Sequence, residues 1–202
     1  GAATGTSRCL ATQTWGACDL SWALRQKLRF GNAMVANPQL DVPLLVVLDA
    51  TRVDYNDFAA AGADLLFVDS DGITVLPHEI ELWDPAGQSF VWVKVPEVAD
   101  ASHEDFIWLY YGNPASTDRQ DAAAVWRPDY RAVWHLDDEL AGIGTPGIYA
   151  DATGWGHDGI DQVAVVHKAG HTGLGQGFGS AERVVVTDEP SLAPVAHLAI
   201  ET

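Results

Sequence analysis

Gly62–Pro96, GADLLFVDSDGITVLPHEIELWDPAGQSFVWVKVP, consists of three strand-like runs joined by two turn signals. Leu65–Val68 is apolar and leads into Asp69-Ser70-Asp71-Gly72. Ile73–Trp83 follows, then Asp84-Pro85-Ala86-Gly87, and Phe90–Val95 returns. Gly accepts positive φ, Pro presets φ at the second turn position, and Asp bonds its own backbone, so both joints reverse the chain. The stretch is expected to be an antiparallel meander. Within it Glu79 and Glu81 alternate with Ile80 and Leu82, which predicts two carboxylates toward water and two aliphatics toward a core.

The flanks extend the same pattern. Ser21–Phe30 (SWALRQKLRF) is rich in helix formers, yet Leu24, Gln26, Leu28 and Phe30 alternate with Arg25, Lys27 and Arg29. A strand with a basic outer face is preferred over a helix. Leu44–Leu48 (LLVVL) is expected to be a strand buried on both faces, and Asp54–Ala61 to be the one helix, capped by Asp54 and ended by Gly62. Phe106–Tyr111 (FIWLYY) is an aromatic strand closed by Gly112-Asn113-Pro114. Ala115–Ala124 reads as a linker or short helix. Beyond it, Ala132–Leu136, Ile160–Val166, Glu182–Val186 and Leu198–Thr202 are short strand signals between Gly-rich loops. The fold class is therefore all-β, with an N-terminal segment over 1–20, an antiparallel β-sandwich over 21–124 and a second β domain over 125–202. About 75 residues are too few for a jelly roll of about eight strands. The second domain is expected to be incomplete in this chain, finished by further residues or by another chain pairing with an open edge at Leu198–Thr202.

The chain has 202 residues, with 11 Lys and Arg against 28 Asp and Glu, a formal charge of −17. That balance argues against nucleic acid or an anionic membrane as partner. No run approaches the ~20 apolar residues of a spanning helix, so a membrane-spanning chain is not expected. Cys9 and Cys18 are the two cysteines. A disulfide between them would stabilise the fold by about 2.5–3 kcal/mol on a chain-entropy basis. The competing two-ligand metal site has no His nearby. A disulfide and an acidic surface point to an oxidising compartment, extracellular or in the cell envelope.

Several motifs falling in order carry a resemblance. Asp41-Val-Pro-Leu-Leu-Val-Val-Leu-Asp49, Gly62-Ala-Asp-Leu-Leu-Phe-Val-Asp-Ser-Asp-Gly72, Leu76-Pro-His-Glu-Ile-Glu81 and Trp108-Leu-Tyr-Tyr-Gly-Asn-Pro114 are among them. Over about residues 21–114 the chain resembles an uncharacterised all-β domain of secreted and cell-surface proteins of bacteria and archaea. Val133-Trp-His-Leu136, Asp151-Ala-Thr-Gly-Trp-Gly-His-Asp-Gly159 and Gly177-Phe-Gly-Ser180 resemble the first strands of a concanavalin-like, laminin-G-type jelly roll, over about 130–202. The resemblance implies a cell-surface setting; some members are encoded beside components of membrane proton channels. It carries no catalytic residues.

Glu79-Ile80-Glu81-Leu82-Trp83-Asp84 is similar to the carboxylate cluster of concanavalin-fold glycosidases. On a regular strand Glu79, Glu81 and Trp83 share a face, forming a candidate ligand site with Trp83 against a sugar, and Asp84 falls opposite unless a bulge intervenes. The same alternation is explained by a solvent-facing strand. Asp69-Ser70-Asp71-Gly72 begins like a calcium loop but lacks the distal bidentate Glu, so a hairpin turn is expected. Asp151, Asp158 and Asp161 are the candidate ligands for Ca²⁺, with a tight turn as the competing role. The seven His show no metal-binding spacing, and no Gly-x-Ser-x-Gly elbow occurs. The expected function is an extracellular binding or adhesion module for glycan or protein ligands, without enzymatic activity. The alternatives are a structural subunit completed by strand pairing between chains, and a glycosidase using Glu79 and Glu81.

Overall fold

The computed structural model describes residues 4–8, 21–31, 36–137, 148–162 and 167–193. Cys9, Cys18 and the strand expected at Leu198–Thr202 lie outside the described residues. The chain divides into two compact units, Gly1–Asp121 and Ala122–Thr202.

The first unit is an antiparallel β-sandwich. Its strands in chain order are β1 (Thr4–Arg8), β2 (Leu24–Arg29), β3 (Gln39–Asp49), β4 (Leu66–Val68), β5 (Val75–Leu76), β6 (His78–Leu82), β7 (Gln88–Val98) and β8 (Phe106–Tyr111). One sheet has the order β1-β2-β8-β4-β5 and the other β3-β7-β6. Strand alternation sends Leu24, Phe67, Leu76, Ile107, Leu109 and Tyr111 from the first sheet against Leu48, Val91, Val93 and Val95 from the second, all buried. Burying each such side chain stabilises by about 1.5–3 kcal/mol.

The strand with a basic outer face is present as β2. Arg25 lies 3.9 Å from the Trp108 ring centroid and Lys27 3.6 Å from that of Phe106, so aromatic faces of β8 carry the cations. Three expectations need correction. The Gly62–Pro96 stretch is not one meander. Its β4–β5 hairpin belongs to the five-stranded sheet and its β6–β7 hairpin to the three-stranded sheet, with Pro77 between them at the crossing. Leu44–Leu48 is not buried on both faces: among the described residues β3 pairs with β7 alone, at the edge of its sheet, and most of it is half-buried. The segment from Asp54 to Ala61 is not an α-helix. It forms two 3₁₀ turns, Tyr55–Asp57 and Ala60–Gly62, the first capped by the Asp54 carboxylate, which accepts from the Asn56 N–H.

A buried carboxylate ties two quoted motifs together. Asp64 has no solvent exposure; Oδ1 accepts from the Ala59 N–H at 2.9 Å, and Oδ2 from the N–H groups of Gly112 and Asn113 at 2.8 and 2.9 Å. Its own carbonyl accepts from the Trp22 indole at 3.0 Å. The Gly-Ala-Asp and Gly-Asn-Pro segments thus depend on each other. The outer rim of β6 is covered by the segment before residue 122. Gln120 Oε1 accepts from the Ile80 N–H, and the Asp121 N–H donates to the His78 carbonyl at 2.9 Å.

The second unit holds α1 (Ala122–Trp126), β9 (Gly159–Asp161), β10 (His167–Ala169), β11 (Leu174–Gln176) and β12 (Val184–Val186). Its described strands form two antiparallel pairs, β10-β11 and β12-β9. Ala132–Leu136 is not a strand in this structure; instead, Val133 meets the loop before β9 through the bond from the Ala152 N–H to its carbonyl, at 2.9 Å.

Candidate functional site

Two places among the described residues hold the candidate site residues. The first is the outer face of the three-stranded sheet. Register places Glu79 opposite Trp92 and Ile80 opposite Val91, but Leu82, not Glu81, stands opposite Phe90, so β6 carries an irregularity at Glu81. The inserted residue reverses the face of everything after it. Glu81 stays outside, where its carboxylate accepts from the Trp92 indole N–H. Leu82 turns outward, and Trp83 turns into the core. There Trp83 meets Tyr55 and Phe58 at centroid distances of 5.3 Å each, and a Cβ at Gly62 would lie 2.8 Å from its ring. Trp83 therefore does not join Glu79 and Glu81 on one face as expected. Asp84 is a turn residue: its carboxylate accepts from the Ala86 N–H and its carbonyl from the Gly87 N–H. Asp69–Thr74 is a hairpin turn as predicted. Asp71 accepts from the N–H groups of Ile73 and Thr74 and the Thr74 hydroxyl, and these bonds hold its carboxyl below the usual range.

The second place is the loop Asp151–Gly159 of the second unit. Asp151 is buried and organises it. Oδ1 accepts from the N–H of Val133 at 3.1 Å, the N–H of Thr153 at 3.0 Å and the Thr153 hydroxyl at 2.7 Å. Oδ2 accepts from the His157 N–H at 3.2 Å. Burial would push the pKa of this carboxyl up, but the Thr153, Val133 and His157 donors outweigh it and hold the group below its ordinary value. Asp158 Oδ1 accepts from the Asp151 N–H at 2.8 Å, and the Trp134 indole donates to the His157 carbonyl at 2.8 Å. The two motifs around Val133–Leu136 and Asp151–Gly159 are thereby one hydrogen-bonded network. Among the described residues no three His, Cys, Asp or Glu side chains group so as to hold a metal ion. The structure does not bring Asp151, Asp158 and Asp161 together in that way, because the Asp151 oxygens are taken up by backbone N–H groups and the Thr153 hydroxyl.

The loop presents its middle to solvent. Trp155 is 48% exposed, with the Arg127 guanidinium 4.1 Å from its ring centroid. Beside it opens a cleft of about 310 Å³ lined by Arg131, Trp155, Gly156, His157, Glu189 and Ser191. At its floor the buried His157 ring bonds on both sides: Nδ1 lies 2.9 Å from the Arg131 carbonyl oxygen and Nε2 lies 2.8 Å from Ser191 Oγ. Sequence reading placed no role on Arg131, Trp155, Glu189 or Ser191. Trp155 in a Gly-Trp-Gly setting was the available signal, since a large ring between two glycines has no adjacent side chain to hide it.

Residues 61–141 match the family described as a domain of unknown function, DUF2341. That description assigns no activity. No curated protein and no solved structure matches the chain. Among the described residues no helix is long and apolar enough to cross a membrane.

Proposed function

We propose that the chain is a binding module of the cell exterior and that its ligand is a glycan held in the cleft beside Trp155. The observation that carries this reading is the exposed Trp155 ring, fixed by Arg127, at the wall of a cleft that also offers a carboxylate, a hydroxyl and a guanidinium. A pyranose has an apolar C–H face that stacks on an indole and a ring of hydroxyls that both donate and accept. Glu189, Ser191 and Arg131 supply acceptors and donors along the same cleft. A volume of about 310 Å³ suits one or two sugar units. The cell exterior is supported by the spacing of Cys9 and Cys18 and by the net charge of −17. The resemblance of residues 130–202 to a laminin-G-type jelly roll supports the same assignment.

Glycan-array binding with Trp155→Ala as control tests the reading. Retention of a defined set of glycans, weakened about 5- to 30-fold by the substitution, is the expected outcome, since a stacked ring contributes about 1–2 kcal/mol. The array is run with calcium and with a chelator, so that a metal requirement registers as loss in the second arm. Silence in both arms overturns the glycan reading.

A further inference from the structure

The proposed binding function uses the Ser191 hydroxyl only as a polar contact and leaves unused the hydrogen-bonded line that runs from it through His157 toward Asp151. Ser191 is exposed at the cleft wall, and its Oγ is 2.8 Å from His157 Nε2. The ring's other nitrogen, Nδ1, faces the Arg131 carbonyl oxygen at 2.9 Å and the Asp151 carboxylate Oδ2 at 3.5 Å. Both of those oxygens only accept. In the neutral ring the proton therefore sits on Nδ1, and Nε2 is left as the acceptor for the Ser191 hydroxyl proton. A nucleophile within hydrogen-bond reach of a base, and a base oriented by a third group behind it, is the arrangement that activates a serine. The base is 6% exposed, so its orientation is held by packing as well as by bonds, while the hydroxyl remains reachable. Arg131 and Gly156 line the same cleft, and a guanidinium with a backbone N–H are groups that stabilise an oxyanion.

We propose that Ser191 and His157 form a nucleophile–base pair that hydrolyses small esters, with O-acyl groups on a glycan stacked at Trp155 as the natural class. The glycan half of this statement rests on the proposed function; the pair itself does not. In the first step Ser191 Oγ bonds to the acyl carbon and its proton passes to His157 Nε2. The ester C–O bond then breaks, and that proton leaves with the departing oxygen as an alcohol. In the second step water attacks the acyl-serine and gives one proton to Nε2. That proton returns to Ser191 Oγ as the carboxylic acid departs. No oxidant or metal enters the balance.

The test treats the full chain with a fluorophosphonate, which needs no sugar to react. Phosphorus bonds to the nucleophilic oxygen, and fluoride leaves with the serine proton. Intact mass and peptide mapping are expected to show one adduct, on Ser191, with the labelling rate falling at least 100-fold in Ser191→Ala. Turnover of p-nitrophenyl acetate is expected to fall in parallel. His157→Gln is expected to lose the adduct too, and circular dichroism shows whether that variant is folded. If it is not, Ser191→Ala decides alone, since its side chain lies at the surface. Absence of an adduct on the unmodified chain overturns the pair, as does an adduct that survives Ser191→Ala. Labelling with a silent glycan array leaves the pair standing and removes the sugar. Glycan retention without labelling removes the pair and leaves the binding function.

Discussion

His78 shows what a single buried side chain does to the first unit. It begins β6, points between the sheets, and lies 5.3 Å from the Phe67 ring centroid. Burial strips water from the imidazolium and pulls its pKa from 6.5 down to about 4, with the negative charge of Asp118 opposing the shift only in part. The unfolded chain binds this proton near pH 6.5 and the folded chain only near pH 4. Stability is therefore full above pH 6.5 and declines as the pH falls toward 4, by about 3 kcal/mol in all. His78→Leu is expected to flatten urea-denaturation stability across that window. An unchanged slope between pH 6.5 and 4 would show that other groups carry it. Asp64 and Asp151 act differently, as acceptors for backbone N–H groups from distant segments. Losing either carboxylate would strand several donors, at about 1–3 kcal/mol each where they are buried. Neither role was legible in the sequence, because alternation tells which face a residue takes and not which distant amide it meets.

Strands and turns were more legible than faces. The two turn signals at Asp69–Gly72 and Asp84–Gly87 are turns, and β2, β7 and β8 fall where apolar alternation places them. What was hidden is a single inserted residue. The irregularity at Glu81 puts Leu82 outside and Trp83 inside, and period-two reading cannot find it because the amino acids on both sides remain plausible for either face. The switch of sheets at Pro77 was hidden for a similar reason. Pro has no N–H to offer either sheet, and the letters do not say which sheet resumes after it. The cover on β6 makes a prediction at this scale. A chain ended at Pro114 lacks Arg119, Gln120 and Asp121, which lie over Trp22 or bond to β6. It is expected to self-associate in size-exclusion chromatography, whereas a chain ended at Asp121 stays monodisperse, since a bare strand rim recruits other strands. Equal elution behaviour of the two would refute the role given to that segment.

For the whole molecule, the all-β class was legible from the spacing of short apolar runs and turn residues, and the antiparallel pairing follows from it. The cleft was not legible, because it is assembled from positions 131, 155–157 and 189–191, which no motif joins. The charge of −17 acts on this scale as well. Like charges on a compact body repel, and salt shortens the reach of that repulsion from about 30 Å at 0.01 M to about 8 Å at 0.15 M. The melting temperature is expected to rise over that range of sodium chloride. A fall would mean that paired surface charges outweigh the repulsion.

The loop Asp151–Gly159 separates what must stay from what can drift. Its shape is set by Asp151, Thr153 and the main-chain amides of residues 133, 153 and 157. The side chain at 155 takes no part in that frame, and Arg131, Glu189 and Ser191 reach the cleft from segments of their own. Descendants of this chain can therefore exchange groups that line the cleft, one at a time, while inheriting the same scaffold. Exchange at positions 131, 155 and 189 would reshape the cleft wall without touching the bonds by which Asp151 shapes the loop.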